Sequence, residues 1–369
     1  MVFLAMRAEQ LRPLLIQACK DNDARRVAYL LRSGADPNSR DTPKKDNDLF
    51  SVIKRMISLR RDQNKDHEFP TALMLASRGL DSSSTLVLLK NGARVNDTGS
   101  IGNTALMDAA REGQPSTVNI LIDAKAKIDA QNDDKRTALM HAALFRRGTS
   151  GKLLLDRGAD LTLRDTAGDT AISLAAENGA WDMIEPLLQH HADPNSKTSS
   201  GQYVLGIAVR VKKVESVEHL LAAGADPNVQ DISDPILIQA IEASTMPIVR
   251  SLLDHGGNPN LKHHEGRPAI LFAMELNKIN AVIALLDHKV DREASFAGLT
   301  VLHTAVRRRN AKLVDLLIRA GCSPRAVDES GATPLAVARG YGDAAVARAL
   351  MSRQAPIEVA IQAIPVSPN

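Results

Sequence analysis

Aromatic side chains are scarce in this 369-residue chain: Phe, Trp and Tyr make up 3%, although 44% of all residues are hydrophobic. A core must therefore be assembled from Leu, Ile, Val and Ala, side chains that suit closely packed helices. Only two cysteines occur, Cys19 and Cys322, so no disulfide framework is available, and buried or half-buried thiols are expected. Charge of one sign is also lacking. The 46 basic and 43 acidic residues leave a net +3, too even a balance for a nucleic-acid or membrane surface. No apolar run approaches the roughly 20 residues of a membrane span. The opening Met1-Val2-Phe3-Leu4-Ala5-Met6 falls short of the about 7–15 residues of a signal-peptide core, so a cytoplasmic chain, monomeric in isolation, is the expectation.

What is present is a period. Thr71-Ala72-Leu73-Met74 recurs as Thr104-Ala105-Leu106-Met107 and again as Thr137-Ala138-Leu139-Met140. The register continues through Thr170, Tyr203, Pro235, Pro268, Thr300 and Thr333, in steps of 32 or 33 residues. Seventeen residues after each comes an aliphatic pair, from Leu88-Leu89 through Leu187-Leu188 to Leu350-Met351. A further unit at the front ends Leu30-Leu31 and continues Gly34-Ala35-Asp36-Pro37-Asn38, matching Gly224-Ala225-Asp226-Pro227-Asn228. Length alone would allow two or three globular domains, but a sustained period of this size is the signature of a repeat array.

The repetition resembles the ankyrin family, whose unit reads roughly G-x-T-P-L-H-x-A-A, then a second helix ending L-L, then G-A-D-x-N. Gly331-Ala332-Thr333-Pro334-Leu335 is a close copy of the first half, and Gly298-Leu299-Thr300-Val301-Leu302-His303 keeps the motif's histidine. The wording Thr-Ala-Leu-Met and the general loss of that histidine resemble prokaryotic ankyrin arrays. The resemblance implies an all-α solenoid of about ten helix–turn–helix units with short β-hairpin-like fingers. It implies a terminal segment over 1–12, the array over 13–355 and a tail over 356–369.

Each recurring residue has a physical reason. The threonines stand where first helices begin and a hydroxyl can accept an unpaired amide. Small pairs such as Ala109-Ala110 let neighbouring helices approach. Gly34, Gly92, Gly158, Gly224, Gly256 and Gly321 follow second helices, where a left-handed residue is needed. Lys125, His191 and Lys289 occupy the same position and should each carry about 1 kcal/mol of strain. Pro115 and Pro247 open second helices, where a missing amide does no harm. Pro186 falls inside one and should bend it. With Pro235-Ile236-Leu237-Ile238 replacing the usual motif, the middle units are expected to be the least regular.

Two segments stand outside the period. About 25 residues, over roughly 41–67, are inserted after the first unit. Within them Leu49, Phe50, Ile53, Met56 and Ile57 have helical spacing, which predicts an amphipathic helix on an enlarged finger. In the tail Ile357, Val359, Ile361 and Ile364 alternate, as a cover for the last repeat would.

No catalytic motif survives inspection, and the expectation is a protein that is not an enzyme and needs no cofactor. Gly148-Thr149-Ser150-Gly151-Lys152 lacks the spacing of a phosphate loop and reads as a turn between helices. His190, His255 and His288 share one repeat position at the end of second helices, where they face unpaired carbonyls. His263-His264 lie at a finger tip without an evident third ligand, so no metal is expected there.

The resemblance implies that another protein is bound on the concave surface of finger tips and first-helix ends. Projected onto the register, its polar positions include Arg111, Glu112, Asp134, Arg136, Glu177, Arg210, His264 and Arg267, with Arg307 and Arg308 at the end of a first helix. The apolar positions are Ile101, Leu144, Phe145, Ile232, Phe296 and Leu299, side chains of the kind that anchor interfaces. Two roles fit. One is a scaffold, adaptor or effector arm; the other is an inhibitor or immunity protein that occludes an enzyme's active site with the enlarged finger.

Overall fold

A computed structural model of the chain describes residues 2–42, 69–231 and 234–351. The inserted 43–68 and the tail from 352 onward lie outside the described residues, and so do the amphipathic helix and the terminal cover expected there. The described residues form ten helix pairs, an all-α repeat solenoid. They fall into two compact units, Met1–Val204 and Leu205–Asn369.

In the first unit the pairs are Val2–Lys20 with Ala24–Arg32, Ala72–Ser77 with Ser83–Lys90, Ala105–Glu112 with Pro115–Asp123, and Ala138–Leu144 with Gly148–Asp156. The fifth pairs Ala171–Asn178 with Ile184–Gln189. The second unit pairs Val204–Arg210, at whose first residue the division falls, with Val214–Ala222. It continues with Ile236–Glu242 and Met246–Asp254, Ala269–Glu275 and Ile279–Asp287, Val301–Arg307 and Ala311–Arg319, and Pro334–Gly340 and Ala344–Met351. First helices pack on first helices and second on second within each unit. The alanine pairs make that approach possible: Ala109, Ala142, Ala143 and Ala175 are fully buried.

The recurrent Thr-Ala-Leu-Met works as a reciprocal cap. Thr71 Oγ1 accepts the Met74 amide at 3.2 Å, and the Thr71 amide donates to Met74 Sδ at 3.4 Å. Thr104 and Met107 repeat the pair at 3.3 and 3.4 Å. This is the capping-box geometry with a thioether in place of a carboxylate. At Thr300 the motif histidine takes over: His303 Nδ1 lies 2.8 Å from Thr300 Oγ1, and Nε2 reaches the next finger's Ala332 carbonyl at 2.9 Å.

The six predicted glycines all have positive φ, and so do Lys125 (69°), His191 (68°) and Lys289 (38°). A second left-handed column, nine residues after the threonine position, escapes a reading that looks for glycine. Gly113, Gly179 and Gly342 occupy it, but so do Arg146, Lys212, Ser244, Asn277 and Arg309. Lys125→Gly and Lys289→Gly are each expected to raise stability by about 0.5–1 kcal/mol. Higher urea midpoints at unchanged slope would bear this out, and unchanged midpoints would count against it.

Pro186 does not bend a helix midway. The second helix of that unit opens as a 3₁₀ turn, Trp181–Met183, and its α-helical part begins only at Ile184. Pro186 therefore lies in the first α-helical turn, where its missing amide has no partner to lose. Nor does the unit without the threonine motif lose a helix, because Pro235 caps Ile236–Glu242 with φ −54°. The fingers close as expected. Gln230–Asp231 pairs antiparallel with Asp234–Pro235, and Ser295–Phe296 with Leu299–Thr300, while four other fingers make single bridges.

The segment from Gly148 is not a turn but the start of the helix Gly148–Asp156. Its glycines admit the next unit: a Cβ on Gly148 would stand 1.9 Å from Asp182 Oδ2, and one on Gly151 2.4 Å from Met183 Cε. Close packing, not phosphate binding, accounts for them.

Candidate partner-binding surface

Ile101 occupies a finger tip in a strained state. It is 56% exposed and has φ 56°, a left-handed conformation that a β-branched side chain disfavours. The finger is tied down on both sides: Gly99 N–H donates to Asn103 O at 2.8 Å, and Asp133 N–H to Ile101 O at 3.0 Å. An exposed aliphatic side chain held at a conformational cost is a feature that folding alone does not call for.

The helix-end face of the next unit carries a stack. Phe145, 40% exposed, lies under the Arg111 guanidinium at 4.7 Å and is parallel to His141, ring centroids 6.3 Å apart and 8° between planes. Arg111 is exposed, with Glu112 at 3.9 Å, and Arg147 Nε donates to the Arg111 carbonyl. Leu144 beside it is half-buried. His141 itself is buried, with neither ring nitrogen bonded among the described residues. Burial, reinforced by the charges of Arg136 and Arg111, pushes its pKa down to about 4.

Two of the arginines expected on this face hold buried carboxylates. Arg136 Nε lies 3.2 Å from Asp165 Oδ2, whose side chain is fully buried, and Arg210 lies 3.1 Å from the buried Asp231. Their charge is largely committed to the fingers. Asp134 stands 3.8 Å from Arg136, and its carbonyl accepts the Thr166 amide of the next finger. Glu177 is exposed at the end of its helix; desolvation, then the neighbouring Asp169, pushes its carboxyl up.

In the second unit Phe296 and Leu299 are half-buried partners in one hairpin, and Arg267 lies over the Phe296 ring at 5.0 Å. Arg267 is also paired with Glu265 and Glu275. The run Arg307-Arg308-Arg309 is divided among tasks: Arg308 donates to the Glu275 carbonyl at 2.7 Å, Arg309 lies over Tyr341 at 5.5 Å, and Arg307 is exposed. Ile232 lies outside the described residues.

Overlapping matches to the family model for ankyrin repeats in sets of three copies run from 15–132 through 73–165, 106–198, 139–231 and 205–295 to 237–328. The chain belongs to the ankyrin-repeat family. Ankyrin repeats are in general protein–protein interaction modules, and the family is typically non-catalytic. Over 125 residues the chain is 30% identical to the human diacylglycerol kinase iota, a likeness that covers 33% of this chain and 12% of that protein. The chain thus spans about an eighth of that relative's length, and the kinase activity in its name does not transfer on such a share.

Two of the three histidines that end second helices meet the carbonyls expected of them. His255 and His288 place Nδ1 2.8 Å from the Ser251 and Ala284 carbonyls of their own helices. His288 and His190 also reach back one repeat, to Asp254 at 3.0 Å and Asp156 at 3.3 Å. Both cysteines are free and buried, their thiols pushed up to about 12 by desolvation. No helix among the described residues is long and apolar enough to cross a membrane.

His263 and His264 depart from what was expected of them. The absence of a third ligand does not hold, because Asp234 of the preceding finger supplies one. Its Oδ2 lies 3.0 Å from His264 Nδ1 and 3.9 Å from His263 Nε2.

Proposed function

We propose that this ankyrin array is a non-catalytic scaffold, adaptor or effector arm that binds a partner protein through its finger tips and first-helix ends. We place it in the cytoplasm, a compartment that fits its two unpaired thiols. The observation that carries the reading is Ile101, exposed and left-handed, together with the Arg111–Phe145 stack. Aromatic and aliphatic anchors beside a guanidinium are the usual energetic centre of an interface. The partner surface would be apolar at its centre and acidic opposite Arg111.

Ile101→Asn separates function from stability. Asparagine tolerates the left-handed region and removes an exposed apolar group, so the variant should be as stable as the parent or slightly more so. Pull-down from the native lysate should recover a partner with the parent chain and lose it with Ile101→Asn combined with Phe145→Ala. Undiminished capture by that double variant would overturn the assignment of these anchors.

A second reading, an inhibitor or immunity protein using the enlarged first finger, draws support from how that finger's base is closed. Arg40 pairs with Thr71 across the stem and donates to the Phe69 and Thr98 carbonyls at 2.9 and 2.8 Å. Asp41 N–H donates to the Pro70 carbonyl, and Lys20 bridges Asp41 at 2.6 Å. Removing 43–68 should therefore leave the melting transition intact. If partner binding also survives undiminished, the plug reading fails and the first one stands.

A further inference from the structure

We propose that Asp234, His263 and His264 form a binding site for a divalent transition-metal ion, with zinc as the ion of choice. One ligand atom from each lies within 4.8 Å of the others. Donor atoms on a tetrahedral zinc ion at about 2.1 Å stand roughly 3.4 Å apart. The separations of 3.0 and 3.9 Å from Asp234 Oδ2 to the two imidazoles bracket that value.

The repeat geometry explains the carboxylate, but it does not call for the imidazoles. In the ankyrin register Asp234 precedes the start of a first helix, and its Oδ1 accepts the amide of His264 on the next finger at 2.6 Å. Asp169 does the same two repeats earlier, accepting the Ser199 amide at 2.8 Å. There the next finger offers Thr198 and Ser199; here it offers two histidines, both turned onto the one carboxylate.

The rings are held in place before any ion arrives. His263 is stacked on Phe272, centroids 4.6 Å apart and 20° between planes, and its side chain is 13% exposed. The Glu265 amide donates to His263 Nδ1 at 3.3 Å, which fixes the ring from its other edge. His264 is 53% exposed, which leaves the remaining coordination position open to solvent.

The test is titration of the full chain with Zn²⁺ by calorimetry and with Co²⁺ by visible absorption. Expected are one ion per chain with affinity on the order of micromolar, and the d–d bands of four- or five-coordinate Co²⁺. His264→Ala and Asp234→Asn should each weaken binding about tenfold or more. His264 is exposed, and Asn still accepts the finger amide, so both variants should melt like the parent without metal. Binding that is equal in the parent and both variants would assign the uptake to other side chains and overturn the site. Absence of the Co²⁺ bands would overturn it as well.

Discussion

Acidification from pH 7 to pH 4 is expected to remove about 3 kcal/mol of stability through His141 alone. Its ordinary pKa of 6.5 falls to about 4 in the folded chain, because burial, then the charges of Arg136 and Arg111, disfavour the imidazolium. Between these values the unfolded chain binds a proton that the folded chain refuses. Stability is therefore intact above the unfolded pKa, declines as pH falls through the window from about 6.5 to 4, and levels off below it. His141→Leu should abolish this slope. Leucine fits the position, four residues after the threonine, since Leu75 and Leu174 are buried at its equivalents. It also removes two buried nitrogens that have no protein partner among the described residues, so the variant should match or exceed the parent even at pH 7. Urea unfolding of both chains at pH 7 and pH 4.5 decides the matter; equal losses in the two would refute it.

The column that holds His141 shows where the sequence is legible and where it is not. The helix pairs, glycine ends and threonine caps could be read because each answers a local backbone need that recurs every 32 or 33 residues. Even the substitutes for glycine, Lys125, His191 and Lys289, were readable, because register placed them. The second left-handed column was not, since Arg146, Lys212 and Ser244 carry no sign of their conformation. Likewise, Arg136 and Arg210 look like surface charge until the fold brings Asp165 and Asp231 to them. Contacts between Asp234 and His264 span 30 residues and depend on the stagger of adjacent fingers, which periodicity does not disclose. Asp108 and His141 are the two ionisable residues in a column held elsewhere in the register by Leu75, Leu174, Ile207, Gln239, Phe272, Thr304 and Val337, and that oddity marks them in the sequence.

Asp108 supplies the opposite pH response. Its carboxyl is 2% exposed, and Arg78 reaches it at 3.1 Å from a side chain that is 43% exposed. Arg78→Ala strands the carboxylate in the core. A fully buried pair broken in this way costs about 3–5 kcal/mol, and the half-exposed arginine reduces that to about 2 kcal/mol at pH 7. Desolvation already raises the Asp108 pKa, against the pull of Arg78, so the folded chain holds this proton more tightly than the unfolded chain does. A carboxyl raised in this sense contributes stability below its unfolded pKa and loses it as pH rises through the folded value. Removing Arg78 moves the folded value higher still. The Arg78→Ala variant should therefore regain part of its lost stability on mild acidification, in a His141→Leu background where no imidazole opposes the effect. Adding Asp108→Leu should restore the parent's stability and cancel the acid rescue together, because the same buried charge causes both. Restoration without loss of the pH response would show that Arg78 acts through something other than Asp108.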